Sequence, residues 1–374
     1  MELDMPFLLS LESGNMSDEE LQMQLALFSN LSQNMQQSDW DVLKKKHWQI
    51  VMIILYSIVI FVGFFGNLVV VIVIVKYRQL HTVTNIFIAN LAVADIVLCI
   101  FNLPFQLHYQ LTDKWAFGEI LCHITMPTFG VPIFVSSLSI LCIAIDRYLL
   151  IVFPFTKHMS NTVALVIIAL IGLITIGLAV PLMMHTKVEI FEEPLLNIYK
   201  VYCVEIWTSA RTKRAYSVSV FTLQFAIPII ATTIFYSCIC MVLKKRPIKK
   251  KETRKSRRTT KILISVVLTF TLCWLPWNIF SLATEFHHSV IRGKYFKLID
   301  LLLKIFAMSS ACINPFLYGW LNDNFRKEFG RMVGKQKRCT NGVSVAKYSL
   351  AVGSPSEHDC TNKFIEKKTN TTAF

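Results

Sequence analysis

Residues 138–154 read LSILCIAIDRYLLIVFP, an apolar run that carries Asp146 and Arg147 side by side, then Tyr148 and, at its end, Pro154. Such a pair is either a neutralised helix end or a switch, because an Arg stays charged at every relevant pH and its long stem can exchange partners. The residue types leave both readings open. Asp95, in NLAVADIVLC, is a lone carboxylate in a second apolar run. An ionisable group where lipid is expected is costly enough to be a functional hypothesis by default. It reads as a hydrogen-bonded polar anchor within a bundle. The alternative is a hydrated cation pocket in which Asp95 supplies charge and Asn67, Ser136 and Asn314 supply oxygens, a set suited to sodium. In NPFLYGW, Pro315 removes a backbone donor and leaves the carbonyl of residue 311 without its usual partner; Pro276 in CWLPWN, close to Trp274, does the same in another run. Membrane helices often tolerate proline, yet two kinked helices beside one polar core also suit a bundle that moves.

The elements that hold these residues are set by hydropathy. Of 374 residues 54% are hydrophobic and only 17% charged, and the mean hydropathy is +0.50, outside the ordinary globular range. Apolar windows long enough to cross a hydrocarbon core of about 30 Å lie near 48–75, 84–109, 119–150, 161–184, 216–243, 262–284 and 297–320, the last with Asp300 and Lys304 as polar guests. Residues 1–43 hold eight Asp or Glu, no Lys or Arg, and sequons at Asn15 and Asn30, so glycosylation and an outside start are expected. Residues 244–261 carry eleven Lys or Arg against one Glu, which the positive-inside rule assigns to the cytoplasm. Lys44, Lys45 and Lys46 run against that orientation, and the larger loop decides. The start of the chain has no basic region and too short an apolar run for a signal peptide. The fold class is therefore an all-α membrane protein, a bundle of seven transmembrane helices with a short amphipathic eighth. Its parts are an extracellular tail (1–46), the seven-span body (47–321), a cytoplasmic amphipathic helix (322–333) and a cytoplasmic tail (334–374), in a multi-pass protein of the plasma membrane.

The net charge of +14 is concentrated in the inner loop and after the seventh span, where anionic lipid is the natural partner and nucleic acid is not. Cys122 and Arg147 are 25 residues apart, roughly 37 Å of helix, so the third span sets Cys122 at the outer face and the Asp–Arg pair at the inner. Cys203 is the only other Cys expected on the oxidising side, and a Cys122–Cys203 disulfide follows from that topology. The ten Cys show no metal spacing. The spans hold neither paired carboxylates nor a nucleophile with its base, which argues against an enzyme. They also lack the continuous polar route of a transporter or channel.

Asn67 in GNLVV, LAVAD, Cys122, DRY, Pro228 in QFAIPII, Tyr236, CWLP and NPFLY stand in order along the seven spans. In this the chain resembles rhodopsin-like G-protein-coupled receptors over about residues 48–333. TVTNIFIANLAVAD, LPFQL, WAFG, YCVEIW, CWLPWN and AMSSACINPFLYGWLNDNFRKEF resemble receptors of the neuropeptide Y and invertebrate neuropeptide F type. The resemblance implies an extracellular, amidated peptide ligand and an inhibitory-class heterotrimeric G protein; the Ser and Thr residues of the tail, among them Ser344, Ser349, Ser354 and Ser356, would on phosphorylation carry charge that a basic partner such as an arrestin reads. It also implies that Asp146, Arg147, Tyr148, Tyr236, Trp274, Pro276, Asn314, Pro315 and Tyr318 form the switch.

For the ligand, the family's Gln before the fifth-span Pro is matched by Gln224 and its outer acidic residue on the sixth span by Glu285, with Asn278 and Tyr216 as further polar candidates. Departures are Phe129 for a Gln in the third span, Lys304 for a His in the seventh, and Ser256 for the acidic partner at the start of the sixth. Ser256 implies a weaker closed-state restraint and appreciable ligand-free signalling. Shared depth suggests that Lys304 pairs with Glu285, in competition with a ligand Arg. A receptor for another small peptide, tachykinin-like, is the neighbouring alternative.

Overall fold

A computed structural model of the chain describes residues 42–156, 159–193, 198–247, 251–286, 293–321 and 323–332. Seven long helices follow one another: α1 (Lys46–Lys76), α2 (Val83–Thr112), α3 (Gly118–Val152), α4 (Asn161–His185), α5 (Ala210–Lys245), α6 (Lys251–Phe286) and α7 (Phe296–Leu321). α1 to α6 are long and apolar enough to cross a membrane by length and composition alone. α7 has comparable length but holds Asp300 and Lys304. A short α8, Asp323–Met332, packs on α7 and α1. Contacts run α1–α2–α3–α5–α6–α7 and back from α7 to α1, with α4 against α2 and α3. Large apolar side chains such as Phe61, Leu165, Leu173, Ile176, Ile230 and Leu272 stand exposed on the outside of the bundle, a surface that water would not tolerate at this extent and lipid would.

The prolines shape the helices as expected, with one addition. Just before Pro104 and Pro228 the backbone opens into single π-turns, Leu98–Asn102 and Thr222–Ala226, each closed by an i→i−5 bond, Leu103 to Leu98 and Ile227 to Thr222. A pyrrolidine ring clashes with the carbonyl four residues back, and the wider turn removes the clash. The carbonyl that Pro315 frees, Ala311, accepts from Asn67 Nδ2 at 2.9 Å, and the same amide reaches the Gly63 carbonyl at 2.9 Å. Gly66 permits this closeness, since a Cβ there would stand 3.0 Å from the Pro315 ring.

Two differences from the sequence reading concern the polar ends. α6 begins at Lys251, so part of the basic 244–261 segment is helix. The segment between α4 and α5, on which the sequence analysis made no prediction, is ordered as well. It forms an antiparallel hairpin, β1 (Thr186–Glu193) with β2 (Ile198–Glu205). The Cys122–Cys203 disulfide is present and ties β2 to α3. Trp115, Cys122 and Cys203 form a small buried cluster of their own. The Trp115 N–H donates to the Val201 carbonyl at 2.7 Å, and the Tyr109 hydroxyl to the Cys203 carbonyl at 3.1 Å. Asn15 and Asn30, and both tails, lie outside the described residues.

Candidate functional site

A cavity of about 320 Å³ opens among α2 to α7 beneath the hairpin. Gln224, Glu285, Asn278, Tyr216, Phe129 and Lys304, singled out on four of the spans, all line it. The walls are mainly apolar with few polar groups, the composition of sites that orient a ligand by a handful of bonds. At its floor Phe129 meets Trp277 edge-on at 4.6 Å and Trp274 at 5.9 Å. Trp274 continues to Phe270 at 6.1 Å and donates Nε1–H to Ser310 Oγ at 3.0 Å. Tyr216 donates to the Leu178 carbonyl at 2.9 Å, and Asn278 Nδ2 to the Trp274 carbonyl at 2.9 Å.

The expected Lys304–Glu285 pair is absent. Lys304 Nζ donates to Asp300, one turn earlier on the same helix, and lies 5.6 Å from the centroid of Phe129. Trp277 Nε1–H and Gln110 Nε2–H also donate to Asp300, at 3.3 and 3.4 Å. A buried charge needs the shortest compensation available, and the i, i+4 spacing supplies it within α7. Glu285 pairs instead with Lys213 at 3.3 Å, which also approaches Glu205 at 3.8 Å. Gln106, Asp300, Trp277 and Lys213 were not expected at the site. Asp300 was open to discovery from its spacing to Lys304; the others depend on which way each helix faces, which hydropathy leaves open.

At mid-depth, Asp95, Asn67, Ser136 and Asn314 are all buried. Asn314 Nδ2 donates to Asp95 Oδ2 at 3.2 Å, while Asn314 Oδ1 is buried without a partner. Tyr236 and Tyr318 are buried below this level. At the inner end, Thr84 Oγ1 donates to Asp146 Oδ2 at 2.9 Å and accepts from Arg147 Nη2, which stands 3.4 Å from Asp146. The Asp–Arg pair is thus bound to α2 through Thr84. Tyr148 contacts the Phe235 and Phe153 rings at 5.1 and 5.7 Å.

The inner ends of three helices are joined by arginines. Arg246 Nη2 donates to the Ile151 carbonyl at 2.6 Å. Arg257 Nη2, one residue past Ser256, donates to the Leu243 and Arg246 carbonyls. Guanidinium groups at helix C-termini meet both orphan carbonyls and the negative end of the dipole.

Residues 66–318 match the 7 transmembrane receptor (rhodopsin family). The chain is 36% identical over 300 residues to a neuropeptide Y receptor type 6 of Mus musculus, covering 76% of this chain and 80% of that protein. It is 35% identical over 288 residues to neuropeptide Y receptor type 2 of Homo sapiens, covering 75% of each.

Proposed function

The chain belongs to the rhodopsin family of seven-transmembrane receptors, and from that premise we propose that it receives an extracellular amidated peptide and activates a heterotrimeric G protein, of the inhibitory class. As a receptor of this family it is not an enzyme. One observation carries the ligand reading: six residues named from the sequence converge on a single cavity under a disulfide-tethered hairpin. Gln224 can both donate to and accept from a terminal amide. Glu285 offers a forked ion pair to a ligand Arg, and the resident cation with which that Arg competes is Lys213, not Lys304. The aromatic series Phe129, Trp274, Phe270 leads from the cavity floor towards the switch residues. The decisive experiment is a screen of amidated peptides ending in Arg-Phe or Arg-Tyr against cells expressing the chain, with G-protein activation read directly. Activation by such peptides, lost in Glu285→Gln, supports the reading. Activation only by peptides without that ending favours a tachykinin-like ligand, and ion flux without G protein the transporter or channel.

Sodium is proposed as an allosteric ligand at mid-depth. Asp95 with the unpartnered Asn314 Oδ1 beside it is the chemistry a hard cation accepts, and Ser136 lies buried at the same level. The amide nitrogen of Asn67 is committed to Ala311 and Gly63, so Asn67 serves there as a helix tie as well. Orientation with the amino terminus outside, residence in the plasma membrane, glycosylation at Asn15 and Asn30, an arrestin partner for the tail and inner-leaflet lipid for the basic segments complete the proposal.

A further inference from the structure

The ends of α3 and α5 and the start of α6 meet in one basic junction. Arg257 of α6 donates to the Leu243 and Arg246 carbonyls at the end of α5, and Arg246 donates to the Ile151 carbonyl, one turn beyond Arg147 on α3. The junction is short of acceptors. Arg147 Nε, Arg257 Nε and Thr260 Oγ1 are all buried without a hydrogen-bond partner among the described residues. Orphaned buried donors are rare, because each loses its hydration without replacement. Two guanidinium groups and a hydroxyl left open together select an anion.

Ser256 stands where such an anion would have to be carried. The face that α6 turns into the bundle is marked by buried Thr253, Thr260, Leu263 and Val267, at the three- and four-residue spacing of a helix stripe. Ser256 and Arg257 are partly buried on that stripe. Ser256 lies one turn before Thr260, where side chains on a helix meet. Arg254 and Arg258, to either side, are exposed. A serine with Arg254 before it and Arg257 and Arg258 after it matches the charge pattern that a basophilic protein kinase selects. It is also only in the second turn of a helix that begins at Lys251. Helix ends open locally at little cost, which lets a kinase draw the segment out.

We propose that Ser256 is a phosphorylation site whose phosphate closes the junction, accepting from Thr260 on its own helix and from Arg147 on α3 while Arg257 keeps its bonds to α5. The modification silences the receptor. A phosphate opposite arginines makes charge-assisted bonds, and the one to Arg147 exists only while α6 lies against α3. In the transfer, Ser256 Oγ attacks the γ-phosphorus of ATP; the Oγ–P bond forms as the P–O bond to ADP breaks, and the hydroxyl proton passes to the kinase's base. The inference goes beyond the peptide-receptor reading but rests on its G-protein half and on the cytoplasmic placement of the basic segment. Agonist and phosphate then bias one packing of the bundle in opposite directions.

The test uses membranes holding the full-length receptor, treated with a purified basophilic kinase with or without ATP. Phosphate is located by mass spectrometry, and G-protein activation is read as GTPγS uptake, basal and across concentrations of an amidated peptide ending in Arg-Phe. On the unaltered chain basal activation is expected to fall about three- to tenfold. Where it is too low to fall, the half-maximal peptide concentration rises by the same factor. Ser256→Ala shows neither change. The isosteric Thr260→Val still takes phosphate at Ser256 but loses part of the effect, which a merely added charge would not. No phosphate on Ser256, a phosphate that leaves activation unchanged or raises it, an equal fall in Ser256→Ala, or an undiminished effect in Thr260→Val overturns the proposal, and the receptor reading stands. A silent peptide with a basal signal that falls on phosphorylation supports the proposal and removes the ligand reading alone. No G-protein activation under any condition removes both.

Discussion

Lys304 shows how a single misplaced charge in the interior is resolved. Its depth alone matches Glu285, but Asp300 lies one turn away on the same face of α7 and meets it without any helix moving. With side chains only 10% and 12% exposed, breaking such a pair strands a charge, at about 3–5 kcal/mol. Asp300→Asn and Lys304→Met are each expected to lower the unfolding temperature of the purified receptor markedly, and the double variant to recover most of the loss. Additive losses in the double variant rule the pair out as a unit. Asp113 is the complementary case at the surface, where burial raises its carboxyl and the ion pairs with Lys297 and Lys200, at 2.8 and 3.1 Å, outweigh that. Its folded-state pKa is depressed, so the stabilisation it gives is complete above the unfolded value, near 3.8, and is lost as pH falls through the lower folded value. The stability gap between the unaltered chain and Asp113→Asn, followed by thermal unfolding, is expected to be constant near neutrality and to close only below about pH 4. A gap that closes between pH 6 and 8 contradicts the assignment.

Helices were legible where one physical force dominates. Seven windows named from hydropathy became seven helices, and the ends within lipid fell close to the expected ones, as α1, Lys46–Lys76, and α4, Asn161–His185, show. Where that force stops, the reading stops with it. The Lys251 start of α6 lies in basic sequence that hydropathy calls a loop, and β1 is a strand only because β2 supplies its ladder. The proline rule predicted a freed carbonyl at residue 311 but not that Asn67, on another helix, would meet it. Asn67→Ala orphans that buried carbonyl, and a loss of about 1–3 kcal/mol is expected in thermal or denaturant unfolding. The inner ends follow the same logic. By the resemblance, Ser256 stands where an acidic restraint is expected; the Arg257 and Arg246 bonds to helix-end carbonyls are a tie of another kind. If those bonds hold the inner ends of α3, α5 and α6 together, Arg257→Ala raises basal G-protein activation. Bonds to charged donors are worth about 1.5–3 kcal/mol, enough for a tenfold shift in a two-state ratio. Ser256→Glu, by adding a partner for Arg147, is expected to lower it. Basal activity that moves with neither substitution removes both restraints from the account.

For the whole molecule, the proposed function asks how occupancy of the cavity would be felt at Arg147, at the other end of α3. No rigid wire is needed if both ends bias one two-state packing of the bundle. The polar layer of Asp95 and Asn314 lies between them, where α2 and α7 meet, and α7 also carries Lys304 above and Tyr318 below. A cation bound at Asp95 compensates a buried carboxylate in whichever packing best surrounds it, and by linkage it weakens any ligand that favours the other. Replacing sodium by N-methylglucamine is therefore expected to raise agonist affinity, by about the five- to 150-fold range of such couplings. Asp95→Asn, which keeps the shape and removes the charge, is expected to abolish the sodium effect while the peptide still binds. Asn314→Ala, which deletes the unpartnered Oδ1, reduces it. Binding of a labelled amidated peptide to membranes in the two buffers decides the matter. Equal affinity in both buffers for the unaltered receptor, or an undiminished sodium effect in Asp95→Asn, leaves Asp95 as a polar anchor of the bundle and moves the coupling to the aromatic series beneath Phe129.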